Sequence, residues 1–122
     1  MTKILILAAA LMATGVKNHA NLERPASETD LLRAFGFSAC LAKAYEKTPF
    51  GDDAERVADG YRQMGKLGAA YDEVRKAAEA IDAAKPTIEG HHNFAIMACL
   101  EWYENPKTKH LVRQIAADPK NR

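Results

Sequence analysis

Residues 54–81 read AERVADGYRQMGKLGAAYDEVRKAAEAI, and the spacing inside that stretch decides the fold class. Ala54, Val57, Ala58, Tyr61 and Met64 recur at the helical period. Leu67, Tyr71, Val74, Ala78 and Ile81 then fall at i, i+4, i+7, i+11 and i+14. Asp72, Glu73, Arg75, Lys76 and Glu79 occupy the opposite, solvated side of the second run. Gly65 and Gly68 bracket the junction between the two. The pattern predicts two amphipathic helices in tight succession. Asp52 or Asp53 is the expected cap of the first, and Pro86 the expected stop of the second.

The same period extends outward on both sides. Ser27 is placed to cap a first helix, with Asp30 three residues on as its capping-box partner. Leu32, Phe35, Ala39 and Ala42 form its stripe, with Leu31, Ser38 and Tyr45 alongside, and it should end before Pro49. Past Pro86, Lys85 to Gly90 reads as a loop. A fourth helix follows from His91 or His92 to Glu104. It is apolar almost all round, through Phe94, Ile96, Met97, Cys99, Leu100, Trp102 and Tyr103, which predicts that it is the central helix of the bundle. Asn105-Pro106 ends it. A short fifth helix carries Leu111, Val112 and Ile115, and the tail from Asp118 is polar. No strand pattern or repeat interrupts this. The expected fold is all-α, a small bundle of about five helices in one domain over residues 21–122.

Residues 1–20 read differently. Lys3, the apolar run Ile4 to Met12 and the small residues Ala13, Gly15 and Ala20 follow the plan of a secretory signal peptide. The run is about half the ~20 residues that span a bilayer. Ala13-Thr14-Gly15 and Asn18-His19-Ala20 both offer cleavage points. The leader implies export, and after its removal no stable membrane association is expected. Losing Lys3 and Lys17 takes the formal charge from +1 to −1. A chain so near neutrality carries no electrostatic footprint for nucleic acid.

Both cysteines, Cys40 and Cys99, lie beyond the leader. An even count in a small exported domain predicts one disulfide. It would staple the first helix to the fourth and close a loop of about 60 residues, worth about 4 kcal/mol in the chain-entropy model. Two buried free thiols are the other reading of the pair.

No set of residues makes a convincing catalytic or metal site. Cys40 with His91, His92 or His110 is a conceivable nucleophile and base, but Cys40 sits mid-helix in an apolar stretch, where nothing lowers its pKa. His91 and His92 are adjacent, and adjacent helical residues point about 100° apart, which suits no shared ligation. Asp52 and Asp53 fit capping, and Trp102 and Tyr103 fit a core. No cofactor is expected. The loop is more informative. Ile88 has no polar reason to be there, and it stands beside Glu89 and Gly90.

Two stretches taken together resemble a known family. The first is Ala39-Cys40-Leu41-Ala42-Lys43-Ala44-Tyr45 with Gly51-Asp52-Asp53-Ala54 behind it; the second is Asn93-Phe94 leading into Cys99-Leu100-Glu101-Trp102-Tyr103. With the leader and the helix order, they resemble the periplasmic immunity proteins that neutralise type VI secretion amidase effectors, specifically the fourth amidase effector–immunity family. The resemblance implies a helical, homodimeric inhibitor in the periplasm and no enzyme. Its partner would be a secreted cysteine amidase that cuts peptidoglycan peptide stems, blocked at its active-site groove. In that family a loop before the last long helix enters the groove. Here it corresponds to Lys85 through His91, so Lys85, Thr87, Ile88, Glu89, Gly90 and His91 are the expected effector-binding residues, although Thr87 to His92 matches no family stretch residue by residue. Two other readings compete: a periplasmic cysteine hydrolase built on Cys40, and a helical periplasmic stress- or metal-responsive binding protein.

Overall fold

A computed structural model describes residues 27–83 and 95–122. Among them are five α-helices: α1 (Glu28–Ala44), α2 (Pro49–Met64), α3 (Gly68–Glu79), α4 (Ala95–Glu104) and α5 (Pro106–Ala117). A 3-10 turn, Pro119–Asn121, follows, and no strand occurs among the described residues. None of these helices is long and apolar enough to cross a membrane.

The starts of the helices follow from local chemistry. Ser27 caps α1, its hydroxyl accepting from the Asp30 N–H at 3.1 Å. The Asp30 carboxylate turns to Arg33, at 3.8 Å. The expectation that Asp52 or Asp53 caps α2 is corrected. Thr48 holds the cap, accepting from the Gly51 N–H at 3.1 Å, and Pro49 takes the first helical position. Pro49 therefore opens a helix, because its missing N–H is one that a first turn leaves unbonded anyway, while α1 has already stopped at Ala44. Asp52 falls in that first turn, where its charge suits the helix dipole. α3 has no side-chain cap of its own. Glu28, from the first turn of α1, instead ties down the two residues just before it, accepting from the N–H groups of Lys66 and Leu67 at 3.0 and 3.1 Å.

The end of α3 also differs from expectation. It stops at Glu79, well short of Pro86. Asp82 lies just beyond with φ 53, a left-handed conformation that aspartate tolerates better than most residues. Ile81 thus leaves the helix, though it still packs inward. Between α4 and α5 there is only Asn105, whose side chain accepts from the Lys107 N–H at 2.9 Å while Pro106 begins α5. The tail expected to be merely polar folds back instead: Asn121 is buried and donates through Nδ2 to the Ile115 carbonyl at 2.9 Å.

The core is built around α1, which packs against all four other helices. Leu31, Leu32, Phe35, Ala58, Ala70, Tyr71, Val74, Val112 and Ile115 form the main cluster. Phe35 and Tyr71 meet edge to face, with centroids 5.0 Å apart. The central position expected for α4 is therefore taken by α1. The reason is size. Gly36, Ser38, Ala39 and Ala42 are all buried on α1, and small residues let neighbouring helix axes approach. A Cβ on Gly36 would run into the ring of Trp102 and lie 2.9 Å from Val74 Cγ1. α4, for all its apolarity, buries Ala95 and Cys99 alone.

Candidate functional site

The predicted binding residues Lys85, Thr87, Ile88, Glu89, Gly90 and His91 lie outside the described residues. What is described is the ground on either side of them. The described chain leaves α3 through Ile81 and Ala83 and resumes at Ala95. Both sides converge on one cluster: Cys40 of α1, Ala78 of α3 and Cys99 of α4 are buried together, with Phe37, Leu41, Ile81, Ala83 and Trp102 packed around them. Cys40 and Cys99 are joined in a disulfide, 59 residues apart in sequence and 5.7 Å apart at Cα. The predicted pairing is the observed one. It also spends the thiol that the hydrolase reading needs, since there is no free cysteine among the described residues.

The far end of α4 is fastened separately. Arg33 of α1 donates to the Tyr103 carbonyl through Nη2 at 3.0 Å and Nε at 3.3 Å. Its guanidinium lies 4.4 Å from the centroid of the Tyr103 ring. Phe37 meets the same ring at 5.7 Å, and Trp102 fills the space that Gly36 leaves open. α4 is thus pinned at two neighbouring points, a covalent one at Cys99 and a packed, hydrogen-bonded one at Trp102 and Tyr103.

Its outer side is apolar and bare. Ile96, Met97 and Leu100 are 49 %, 56 % and 41 % exposed. Leu111 of α5, expected in the core, is exposed as well. A second bare stripe runs along α2, where Phe50, Val57 and Met64 recur at seven-residue spacing, all exposed. Val57 and Met64 were expected inside. The buried side of α2 is instead the small one, Gly51, Ala54 and Ala58. These exposed side chains are the surface that the pattern reading missed. The missing signal was width: an apolar arc carrying both Ala54, Ala58 and Val57, Met64 is broader than one neighbour covers.

Charged groups elsewhere are committed within the fold. Asp72, Arg75 and Glu79, a polar face of α3, are bound up with α2: Arg62 pairs with Asp72 at 2.7 Å, and Arg75 with Glu55 at 2.8 Å and Glu79 at 3.4 Å. Burial alone would lower the Arg75 pKa, but its hydrogen bonds to Glu55 and Glu79 and their charges hold it above the ordinary value. A shallow cleft of about 220 Å³ at the α1–α2 corner is lined by Lys43, Lys47, Glu46, Asp52 and Glu55 among others. Its charges are of both signs and turned to solvent. His110, the described member of the histidine set, is exposed on α5. Among the described residues no group of three or more histidines, cysteines or carboxylates is gathered as for a metal ion.

Comparison with known proteins then gives one result. The family model Tai4, type VI secretion system (T6SS) amidase immunity protein, matches residues 30–112. That span runs from the first turn of α1 into α5 and includes both cysteines. No curated protein and no solved structure matches the chain.

Proposed function

We propose that this chain, which belongs to the family of type VI secretion system amidase immunity proteins, binds a cognate peptidoglycan cysteine amidase and blocks its active-site groove with the segment Lys85 to His91. Family membership supplies the partner class. The observation that carries the choice of segment is the convergence of its two flanks, Ile81–Ala83 and the start of α4, on the stapled Cys40–Ala78–Cys99 cluster. A binding segment held at both ends on a rigid base loses less freedom when it docks. Ile88 offers an apolar tip, Glu89 and His91 offer polar groups for a cleft with a catalytic histidine, and Gly90 permits close backbone approach. Plugging needs no chemistry from this chain.

Calorimetry with the amidase tests the plug. Ile88→Ala and Glu89→Ala should each weaken binding by about 1–3 kcal/mol, as central interface residues do. A folded double variant that binds as tightly as the parent sinks it. The search would then move to the bare apolar stripes of α2 and α4, because the polar face of α3 is already paired with α2.

Export and pairing complete the proposal. Residues 1–20 direct the chain to the periplasm, and two copies associate there through exposed apolar surface, for which Ile96, Met97 and Leu100 are candidates. Protein recovered from a periplasmic extract should have lost its leader by mass and should sediment as a dimer. Retention of Met1 would overturn the first statement, and a monomer at micromolar concentration the second.

A further inference from the structure

We propose that the Cys40–Cys99 bond is a redox latch on α4: oxidised, it holds residues 95–101 of that helix against α1; reduced, it releases them while α1, α2, α3 and α5 stay folded, and only the latched form engages the amidase. The amidase clause rests on the function proposed above. The latch does not.

The distribution of contacts carries the idea. α4, described over Ala95–Glu104, is a helix of the kind that takes most of its stability from packing rather than from its own hydrogen bonds. Its docking must therefore come from outside. The main apolar cluster contains no buried residue of α4, and only Trp102 packs against it. Over residues 95–101, Ala95 and Cys99 are buried while Ile96, Met97, Leu100 and Glu101 face solvent. Among the described residues 95–101 an alanine methyl and a sulfur bury little area, so the covalent bond is the main fastening that this stretch provides. The residues that follow are different. Trp102 against Gly36, and Arg33 on the Tyr103 carbonyl and ring, persist without the bridge.

α5 does not depend on α4 for its place. Val112 and Ile115 are in the main cluster, Asn121 is bonded to the Ile115 carbonyl, and Lys120 reaches Glu73 of α3 at 2.9 Å. Loss of the bridge thus frees a defined stretch, residues 95–101, hinged at Trp102. That stretch begins four residues after His91, the end of the segment assigned to the amidase, so its release removes one of the two fixed ends.

The chemistry is ordinary exchange. Closing the latch takes two thiols and a disulfide oxidant, RSSR. The thiolate of one cysteine attacks RSSR and expels RS⁻. The second then attacks the mixed disulfide, and the products are the Cys40–Cys99 bond and two RSH. A dithiol reductant runs the same steps backwards. A chain that is still reduced is then folded but unable to bind, and oxidation makes it competent.

Hydrogen exchange read by mass spectrometry tests the latch on the full chain, oxidised and after treatment with dithiothreitol. Amides of residues 95–101 should exchange about tenfold faster or more on reduction, while those around Leu32–Ala39, Val74 and Val112 change little. Cys40→Ala/Cys99→Ala should reproduce the reduced pattern without reductant. Amidase affinity should fall at least about tenfold on reduction and return after reoxidation with oxidised glutathione. Equal acceleration in every helix overturns the latch, since the bridge is then a global staple. No acceleration in 95–101 overturns it also, since packing then suffices. If 95–101 loosens but both forms bind the amidase equally, the amidase clause falls. If the oxidised protein fails to bind while 95–101 still loosens on reduction, the function proposed above falls and the latch stands.

Discussion

The cluster around Phe35 and Tyr71 and the cluster around Cys40 and Cys99 share α1, yet they hold their helices by different means. The first joins four helices through nine buried side chains, most of them large. The second joins α4 to α1 and α3 through two sulfurs and an alanine, with half-buried aromatic and aliphatic neighbours. Apolar area holds one and a covalent bond holds the other. A small domain buries a limited share of its surface, and here that share is concentrated away from α4. The consequence is a bundle with a firm body and an appended helix whose outer side stays apolar and free for contact.

The largest effect expected from breaking this contrast is in the body. Phe35→Ala removes a fully buried ring that touches Tyr71. It should cost about 3–5 kcal/mol, a large part of a typical domain stability of ~5–15 kcal/mol. Chemical denaturation should show the loss with all helices melting together. A loss under 1 kcal/mol would mean that the body is not where the stability lies.

Next comes the joint between the two regions. Gly36→Ala places a methyl where the Trp102 ring sits, close also to Val74. Overpacking of this kind costs about 1–3 kcal/mol, and the side able to give way is the appended helix. Trp102 fluorescence should shift toward that of an exposed indole, with circular dichroism nearly unchanged. An unshifted spectrum at parental stability would show that α4 is not tied to α1 through this contact.

The smallest effect sharpens the account of the body itself. The Tyr71 side chain is fully buried, and among the described residues its hydroxyl has no hydrogen-bond partner of good geometry. Burial first, and then the negative charge of Glu28, push its pKa above the ordinary value near 10. The folded state therefore keeps this proton when the unfolded chain begins to lose it. Stability is fully present below pH 10 and falls as pH climbs above it. Tyr71→Phe should be close to neutral at pH 7, because no bond is lost. It should remove part of the alkaline slope, measurable as melting temperature against pH from 8 to 11. A destabilisation above ~1.5 kcal/mol at pH 7 would mean that the hydroxyl is bonded after all.

Much of this architecture is legible from local pattern. The cap at Ser27, the stripes through Leu32–Phe35–Ala39 and Tyr71–Val74–Ala78, and the break at Pro49 all rest on contacts within a few residues. The cysteine pairing is legible because only two are present. The proposed binding segment was read from composition and family resemblance, and its flanks are what the fold adds. The misplacements share a cause. Val57, Met64, Ile96, Met97 and Leu100 were placed inside because they are apolar, but a helix period identifies a side, not what covers it.

The sequence by itself determined that the chain is helical, where the first helix begins, and which sulfurs meet, because these follow from short-range spacing, capping chemistry and arithmetic. Only the tertiary structure decided that α1 rather than α4 is central, that Glu28 holds the backbone of Lys66, 38 residues away in sequence, and that α4 hangs on a bond at Cys99 and a tryptophan three residues on. Centrality depends on how closely helix axes can approach, which small residues such as Gly36 and Ala39 set jointly with their neighbours. That property belongs to pairs of surfaces, and no single stretch of sequence contains it.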